Sequence, residues 1–435
     1  MKSIPKSGHS LLSLLRYRAS SAALTYTVFL MALIIGTLSL FIFAISLNRQ
    51  VLWSLHTRET TIRNCNGGIE VLLGSNELVR NGDTLKFSLF GNGDDTVLVS
   101  RIQWGLFERI FCQAENANYK YSKIAFVGGW SKEQGAVAIY LTNRGLPLSL
   151  AGDCLIVGDC YLPLQGISSG SIGGRYFTHD TLVHGKTSFS SHKLPNLAKA
   201  LVENLNGFSQ SVQQNNQHLE SDDFDSVFVS FNKQTQFFAH AQPINLTNKQ
   251  LRGNIVIRSD KRIVIDSTTY TEDILVIAPC IIILNGFKGS LQAFASDTIK
   301  VGSHVSLLYP SVLCVNKSTS GSKVVNSSYI CIGDNSNLEG CIVNNSGSLL
   351  KSNAAISLGN KTKVIGLVYC NGLAELKGEV LGSVYANGFI VFDPTTIYEN
   401  YLLDVSINAK DLPYEFVAPG LFDLSSPRKI VKWLK

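Results

Sequence analysis

Residues 366–372 read GLVYCNG and residues 382–388 read GSVYANG, so one seven-residue pattern returns after sixteen positions. Glycine lies at both ends of each copy, and Tyr369 and Tyr385 occupy the same place in it. Side chains that recur at a short, fixed spacing are typical of β-strands stacked in parallel coils, where equivalent residues lie above one another. The repeat therefore predicts a β-solenoid.

Strand-like runs separated by glycines extend this pattern outward from the repeat. Branched apolar residues form short runs between positions 254 and 332, and Gly286, Gly302 and Gly333 fall where corners are needed. A similar run, with glycines at 152 and 158, lies in residues 148–193. We expect residues 226–395 to form the solenoid proper and residues 148–193 to form its first coils.

The repeat and the residues around it, 359–392, resemble the glycine-spaced coils of bactofilin-type, polymer-forming β-solenoids. The likeness lies in the glycines that bracket short apolar strands of equal length. It implies a solenoid fold, and in that family such coils assemble into polymers.

An uncharged segment lies near the N-terminus. No charged residue occurs between Arg18 and Arg49, and residues 22–47 are long enough to cross about 30 Å of hydrocarbon as a helix. A cleaved signal peptide is the alternative, but its apolar region usually has only about 7 to 15 residues. The sequence predicts a transmembrane helix that anchors a single-pass membrane protein.

Basic residues on the two sides of this segment predict its orientation. Four precede it and three follow it closely: Lys2, Lys6, Arg16 and Arg18, then Arg49, Arg58 and Arg63. Because basic flanks favour the cytoplasm, we expect residues 1–21 to be cytoplasmic and the body to be periplasmic, anchored in the inner (cell) membrane. Residues 18–30 also resemble the start of pilin-like minor subunits, without that family's Gly before and Glu after the cleavage point. This likeness implies a part in a surface or secretion assembly.

Three further segments depart from the coil pattern. Residues 65–145 alternate short strand-like runs with turn residues such as Gly67 and Gly68, and predict a small antiparallel β domain. Residues 194–225 hold leucines at 197, 201 and 205 on one helical face, then a polar run, and predict a helical insertion with a loop. Residues 396–435 lose the repeat and predict a C-terminal cap with a basic tail. The predicted fold class is therefore mainly β.

The net charge of +6 is concentrated at the two ends of the chain. Four Lys/Arg precede the apolar segment and four lie in the last eight residues, which leaves the body slightly negative. Without a basic stripe to follow a phosphate backbone, the charge pattern excludes nucleic-acid binding.

Nine cysteines occur, and none forms a CxxC pair. Most lie among Val, Ile and Leu in strand-like runs, where cysteine behaves as a small buried apolar residue. Cys154 and Cys160 lie six residues apart and are the candidate disulfide if the body is exported.

One cluster holds metal-ligating residue types: His179, Asp180, His184 and His192. Its loop is rich in Gly, Ser and Thr, and nothing in the spacing brings three or four ligands together as zinc requires. Carboxylates are scattered at turns of the coils, and no pair is placed for general acid–base catalysis. We therefore expect no metal, no cofactor and no catalytic residue.

These patterns favour a non-catalytic structural scaffold of the cell envelope that acts through protein partners or through copies of itself. One alternative is a polysaccharide-binding or polysaccharide-active β-helix, which an aromatic and carboxylate ladder along one face would favour. A second alternative is a membrane-tethered cytoplasmic polymer of the bactofilin kind, for which free thiols throughout would be suitable.

Overall fold

The computed structural model describes residues 10–74, 81–89, 95–117, 119–131, 137–210, 225–317, 328–347, 349, 351–422 and 428–434. The helices in these ranges are α1 (Ser10–Gly74) and α2 (Lys199–Gln210). The strands before α2 are β1 (Thr84–Phe87), β2 (Asp95–Trp104), β3 (Phe107–Asn116), β4 (Tyr119–Gly128), β5 (Trp130–Ser131), β6 (Val137–Leu141), β7 (Leu148–Ala151), β8 (Leu155–Val157), β9 (Asp159–Leu162), β10 (Ile167–Ser169), β11 (Ser171–Ile172), β12 (Arg175–Tyr176) and β13 (Thr187–Phe189). The strands after α2 are β14 (Ser226–Val229), β15 (Gln236–His240), β16 (Ile244–Leu246), β17 (Gln250–Gly253), β18 (Ile255–Ser259), β19 (Arg262–Ile265), β20 (Tyr270–Glu272), β21 (Ile274–Ile283), β22 (Lys288–Gly289), β23 (Leu291–Val301), β24 (Ser306–Asn316), β25 (Tyr329–Ile332), β26 (Asn337–Asn345), β27 (Ile356–Leu358), β28 (Thr362–Glu375), β29 (Gly378–Phe392), β30 (Ile397–Glu399), β31 (Tyr401–Leu403), β32 (Ser406–Asn408), β33 (Val417–Ala418) and β34 (Lys429–Leu434). The fold is mainly β, which confirms that part of the prediction.

α1 is a continuous helix that passes from an exposed apolar stretch into the folded body. Every residue from Ala23 to His56 is exposed, including Trp53. Within the ranges given above, one helix, Ala23–Gly74, is long and apolar enough to cross a membrane, which fits a single membrane span or a signal sequence. After this stretch one helical face becomes buried, and it consists of Thr57, Thr61, Asn64, Cys65, Gly68, Ile69 and Leu72.

An antiparallel sheet packs on this buried face of α1. Its strand order is β1-β2-β3-β4-β34. Ile69 and Leu72 of the helix share one apolar core with Val97, Ile110 and Val127 of the sheet. The sheet therefore holds the end of the helix by apolar burial, which confirms the antiparallel sheet that the sequence predicts.

The last turns of α1 occupy residues that the sequence pattern places in the β domain. Gly67 and Gly68 indicate a turn in the sequence, whereas residues 65–74 are helical in the structure. The physical reason is close packing, because a Cβ at Gly68 would lie 2.7 Å from both Cys112 Sγ and Val97 Cγ1. Glycine is needed here for the approach of the sheet and not for a turn.

The C-terminal strand completes the antiparallel sheet. β34 pairs with β4. Arg428 Nη2 donates a hydrogen bond to Glu108 Oε1 at 2.6 Å, and Lys432 Nζ donates to Asp273 Oδ2 at 2.7 Å. Arg428 and Lys432 of the predicted basic tail therefore pair with carboxylates on two neighbouring elements.

The largest unit is a closed, predominantly parallel sheet that includes β15, β18, β21, β23, β24, β26, β28 and β29. Ile255 lies opposite Gln236, Val312 lies opposite Gln292 and Gly382 lies opposite Gly366, so paired residues in these parts of the sheet are 16 to 20 positions apart. The pairings of β24 with β26 and of β26 with β28 join residues that are farther apart in the chain. Alternate side chains point inward and fill one apolar core. One inward column of register partners consists of Ile257, Val276, Ala293, Leu313, Ile342, Val368, Val384, Ile139 and Cys160.

The strands that come early in the chain lie late in this sheet. β6 pairs with β29, β9 pairs with β6, and β13 pairs with β9. Residues 137–189 therefore follow residues 378–392 in space, although the sequence suggests that residues 148–193 begin the stack. The chain then passes through α2, which packs on the outer face of the closed sheet, before β15 begins the opposite end of that sheet.

A second apolar core covers the outer face of one side of the closed sheet. Outward side chains such as Phe294 pack with Leu201 and Leu205 of α2 and with the C-terminal segment around Phe416. Trp104 of the antiparallel sheet joins the same core. This covered face forms the surroundings of the candidate site.

Candidate functional site

A cleft of about 310 Å³ opens between α2 and the outer face of the closed sheet. Leu205 of α2 and the outward side chains Ile277, Phe294 and Cys314 give it an apolar lining. Its polar lining consists of Arg258, Ser259, Asp260, Ser296 and Asn316. Concave sites with an apolar lining and a few polar groups are where small ligands bind.

The polar groups reach the cleft because neighbouring strands end beside it. Arg258 is an outward residue near the end of β18, and its Nε lies 3.5 Å from Asp260 Oδ1 just after the strand. Ser259 also lines the cleft, and its Oγ donates a hydrogen bond to Gln242 O at 2.8 Å. One cation and one carboxylate thus offset each other at the cleft, which suits a neutral ligand with hydroxyl or amide groups better than an ion.

A ladder of asparagine amides leads from the cleft along the closed sheet. Asn345 Nδ2 donates to Asn316 Oδ1 at 3.0 Å, Asn371 to Asn345 at 3.2 Å, and Asn387 to Asn371 at 2.8 Å. At the cleft, Asn316 Nδ2 donates to Asn206 Oδ1 of α2 at 3.1 Å. Each amide has a second N–H and further acceptor capacity, so the half-buried ladder can also hydrogen-bond an outside partner.

A ladder of tyrosines runs on the same face. Tyr369, Tyr385, Tyr140 and Tyr161 are successive register partners, and the ring of Tyr140 stacks at 5.9 Å on Tyr385 and at 5.5 Å on Tyr161. Phe422 contacts the buried rings of Tyr369 and Tyr385, whereas Tyr161 is 37% exposed. Burial raises the pKa of Tyr369 to about 12. One end of the ladder is therefore part of the core, and the Tyr161 end faces solvent.

The two candidate disulfide residues lie on opposite sides of a corner. Gly158, with a φ of 129°, turns the chain between Cys154 and Cys160. Both thiols are free and buried; Cys154 Sγ donates to Ala151 O at 3.1 Å, and Cys160 Sγ donates to Gly158 O at 3.7 Å. Burial raises the pKa of both thiols, that of Cys160 to about 12. Both side chains face the apolar core of the closed sheet, with the corner at Gly158 between them, and the bridge that the spacing suggests stays a prediction.

The histidine cluster is spread over an exposed surface. His179 Nε2 lies 2.7 Å from Asp153 Oδ1, and His192 Nδ1 lies 2.7 Å from a backbone carbonyl. Asp180 and His184 are exposed. Across the described ranges, no group of three or more His, Cys, Asp or Glu side chains is placed to hold a metal ion.

Carboxylates that the sequence scatters through the coils join neighbouring elements. Glu272 Oε2 lies 3.2 Å from Arg252 Nε, and Glu272 Oε1 lies 3.1 Å from Lys432 Nζ. Asp273 accepts from the same lysine, and burial raises the pKa of Asp273 despite that cation. Asp266 accepts from a backbone N–H two residues on, at 3.0 Å. These contacts serve packing and turn formation.

The asparagine ladder is the feature that sequence reasoning misses. Asn371 and Asn387 occupy the same place in the repeat at 366–388, which is a signal for the ladder. Asn316 and Asn345 lie in strands whose spacing is interrupted by longer connections, so the register of the sheet is needed to align them.

No protein-family model, curated protein or solved structure matches this chain. Function is therefore inferred from the geometry of the molecule.

Proposed function

We propose that this protein is a membrane-anchored, non-catalytic scaffold that presents a β-solenoid outside the cytoplasm. The observation that carries the proposal is the continuity of α1 from an exposed apolar stretch into a buried packing face. Apolar surface costs about 25 cal/mol per Å² in water, and hydrocarbon removes that cost. α1 also has no break at residues 44–46, where small residues would otherwise suit signal cleavage, which supports an anchor.

Buried polar contacts at the end of α1 support a rigid link between anchor and body. Arg101 Nη2 donates to Leu72 O at 2.8 Å and so satisfies a carbonyl at the helix C-terminus. Asn64 Nδ2 donates to Asp95 Oδ2 at 2.6 Å on the same side. A helix held in this way transmits its orientation to the body, as a scaffold at a membrane requires.

The pairing pattern of the closed sheet supports the solenoid. Each turn advances the chain by 16 to 20 residues in the regular coils, and like residues lie above like in the inward column and in both outward ladders. Gly340, Gly366 and Gly382 stack at one corner with φ between 144° and 150°. Stacked coils of this kind offer long, regular faces for protein partners.

The charge pattern supports the orientation. Basic residues are more numerous before the apolar stretch than just after it, so residues 1–21 are assigned to the cytoplasm and the body to the periplasmic side of the inner membrane. The assigned role is a structural part of the envelope or of a surface or secretion assembly, working through protein contacts or self-association.

Retention of the N-terminus tests the anchor. A chain with one tag at each end should keep both tags in the membrane pellet after an alkaline carbonate wash. A matched variant with Leu38→Asp and Phe41→Asp should appear in the supernatant, because charges at the centre of a span are costly. A soluble body that has lost the N-terminal tag would show a cleaved signal peptide and would overturn the proposal.

Polysaccharide binding is the second candidate, and the cleft favours it. Its polar lining is net neutral and the asparagine ladder begins there, which suits hydroxyl groups. Affinity electrophoresis with cell-wall polysaccharide tests it, and Asn316→Ala should weaken any retardation of the protein. Identical mobility with and without polysaccharide would remove this candidate.

A third candidate, a membrane-tethered cytoplasmic polymer, is favoured by the free state of all nine cysteines. It requires the opposite orientation of α1, so a topology measurement separates it from the scaffold outside the cytoplasm.

A further inference from the structure

Two buried cysteines face each other where α1 meets the antiparallel sheet. Cys65 lies on the buried face of α1 and Cys112 lies on β3, and neither side chain has exposed surface. Cys65 Sγ donates to Cys112 O at 3.4 Å, and Cys112 Sγ donates to Cys65 O at 3.2 Å. The two thiols also lie within hydrogen-bonding reach of each other. These reciprocal contacts place the two side chains against each other, and a disulfide requires such proximity because its two β-carbons lie about 3.5 to 4.5 Å apart.

The sequence next to Cys65 permits this approach. Gly68 lies one turn further along the same helical face, and a Cβ there would lie 2.7 Å from Cys112 Sγ. The sheet can therefore sit against the helix surface at the point where the two thiols meet. The two residues belong to different elements and are 47 positions apart, so the tertiary packing of α1 on the sheet brings them together.

The contact between the two thiols, and to a smaller extent a nearby cation, shifts their pKa values in opposite directions. Lys123 Nζ donates to Asn66 Oδ1 at 2.7 Å, next to Cys65 in the chain. The hydrogen bond from Cys112 and the charge of Lys123 lower the pKa of Cys65, although burial opposes this. The same hydrogen bond and burial raise the pKa of Cys112. Cys65 is therefore the thiol that ionises first, and thiolates are the attacking species in disulfide exchange.

We propose that Cys65 and Cys112 form a disulfide by exchange with a small or protein disulfide, and that this bond ties the membrane-proximal helix to the sheet. With glutathione disulfide as oxidant, the Cys65 thiolate attacks one sulfur and forms a mixed disulfide, and one glutathione thiolate leaves. Cys112 then loses its proton to solvent and attacks the Cys65 sulfur, which releases the second glutathione thiolate. Two electrons pass from the protein sulfurs to glutathione, and the two protons end on the glutathione thiols.

The test uses the purified full-length chain in detergent, incubated with glutathione disulfide, acid-quenched and alkylated under denaturing conditions. Peptide mass spectrometry should find Cys65 joined to Cys112, with two of the nine cysteines protected from alkylation. Cys154→Ser and Cys160→Ser are matched controls at other buried thiols, and both should form the same bridge. A bridge between other cysteines would overturn the proposal.

The Cys112→Ser variant shows whether Cys65 is reached during the incubation. It should gain one glutathione on Cys65 in the time in which the unchanged chain forms the internal bridge. If the variant is glutathionylated while the unchanged chain stays reduced or holds a lasting mixed disulfide, Cys112 does not displace glutathione from Cys65 and the proposal is wrong. If Cys65 stays free in both chains, the folded site is closed to disulfides and the proposal is wrong.

The result on the purified chain does not depend on which side of the membrane holds the body. In cells, a bridged pair would agree with export, whereas a reduced pair would argue against export and leave the chemistry intact. Failure of this inference and failure of the proposed orientation are therefore separate observations.

Discussion

Replacement of Gly382 by alanine perturbs the closed sheet where β29 closely approaches β28. Gly382 has a φ of 147°, a conformation that residues with a side chain rarely adopt, and a Cβ there would overlap the carbonyl oxygen of Gly366 in the neighbouring strand β28. The strained backbone costs about 1 to 3 kcal/mol. Forcing the packed strands β28 and β29 apart costs about 1 to 3 kcal/mol more. We expect Gly382→Ala to lower the free energy of unfolding by about 4 kcal/mol, the combined size of these two effects.

Gly286→Ala is the matched control. Gly286 also has a positive φ, 77°, but the nearest atom to an added Cβ is 3.9 Å away on Ser267. This variant should therefore lose only the backbone part, about 1 to 2 kcal/mol. Urea denaturation of the full-length chain in detergent, followed by the fluorescence of the buried Trp104 and Trp130, measures both. Equal losses in the two variants would refute the close approach of β28 and β29 at Gly382.

Further predictions concern a buried thiol, the amide ladder and the C-terminal strand. Burial raises the pKa of Cys160 to about 12, from 9.0 in the unfolded chain. Between these values the native state keeps the proton and the unfolded state loses it, so the free energy of unfolding falls as pH rises from about 9 towards 12. Cys160→Ala should reduce the loss of stability between about pH 8.5 and 10.5 by about 2 kcal/mol, measured by urea denaturation at both pH values, and an unchanged loss would contradict the burial argument. Asn371→Ala removes two ladder hydrogen bonds and should cost about 2 kcal/mol in the same assay, whereas no measurable cost would mean that water replaces the ladder. Lys432→Met removes a charged hydrogen bond from the buried Asp273 and should cost about 2 kcal/mol, and a gain in stability would show that the pair is not needed to hold β34.

The parts of the fold that local pattern controls can be predicted from the sequence. The copies at 366–372 and 382–388 indicate parallel strands because each strand position repeats the burial of its neighbour, and β28 and β29 pair in that register. Leucines at 197, 201 and 205 predict a helical face, and Leu201 and Leu205 are buried on α2. In both cases the side-chain period itself carries the structural information.

The parts that depend on distant contacts cannot be predicted in this way. α1 continues to residue 74, and Gly68 in it packs against Cys112 and Val97 of the sheet. In the sequence alone, where this sheet contact is not visible, a Gly-Gly pair indicates a turn. The pairing of β6 with β29 depends on which edge of the parallel strands is free to accept another strand, and no local sequence pattern predicts this. The basic C-terminus joins the antiparallel sheet. Its sequence does not predict this, because its partners Glu108 and Asp273 lie more than 150 positions away in the chain.

The candidate site shows the same limit. Cys154 and Cys160 share a parity in the sequence and both face the core of the closed sheet, but the corner at Gly158 between them has no counterpart in that parity. The cleft is built from α2 and from a few positions on each of four separate strands, so its polar residues carry no common motif. The pair that does meet, Cys65 and Cys112, lies on a helix and a strand whose contact only the tertiary structure reveals.

Protease access to a tag placed after residue 435 on intact spheroplasts is the most direct test of the central claim. The proposed scaffold outside the cytoplasm predicts that this tag is digested without lysis, while a tag before residue 1 and a cytoplasmic marker stay intact. Protection of the C-terminal tag until lysis, with loss of the N-terminal tag, would contradict the orientation. That outcome would favour a body in the cytoplasm and the membrane-tethered polymer.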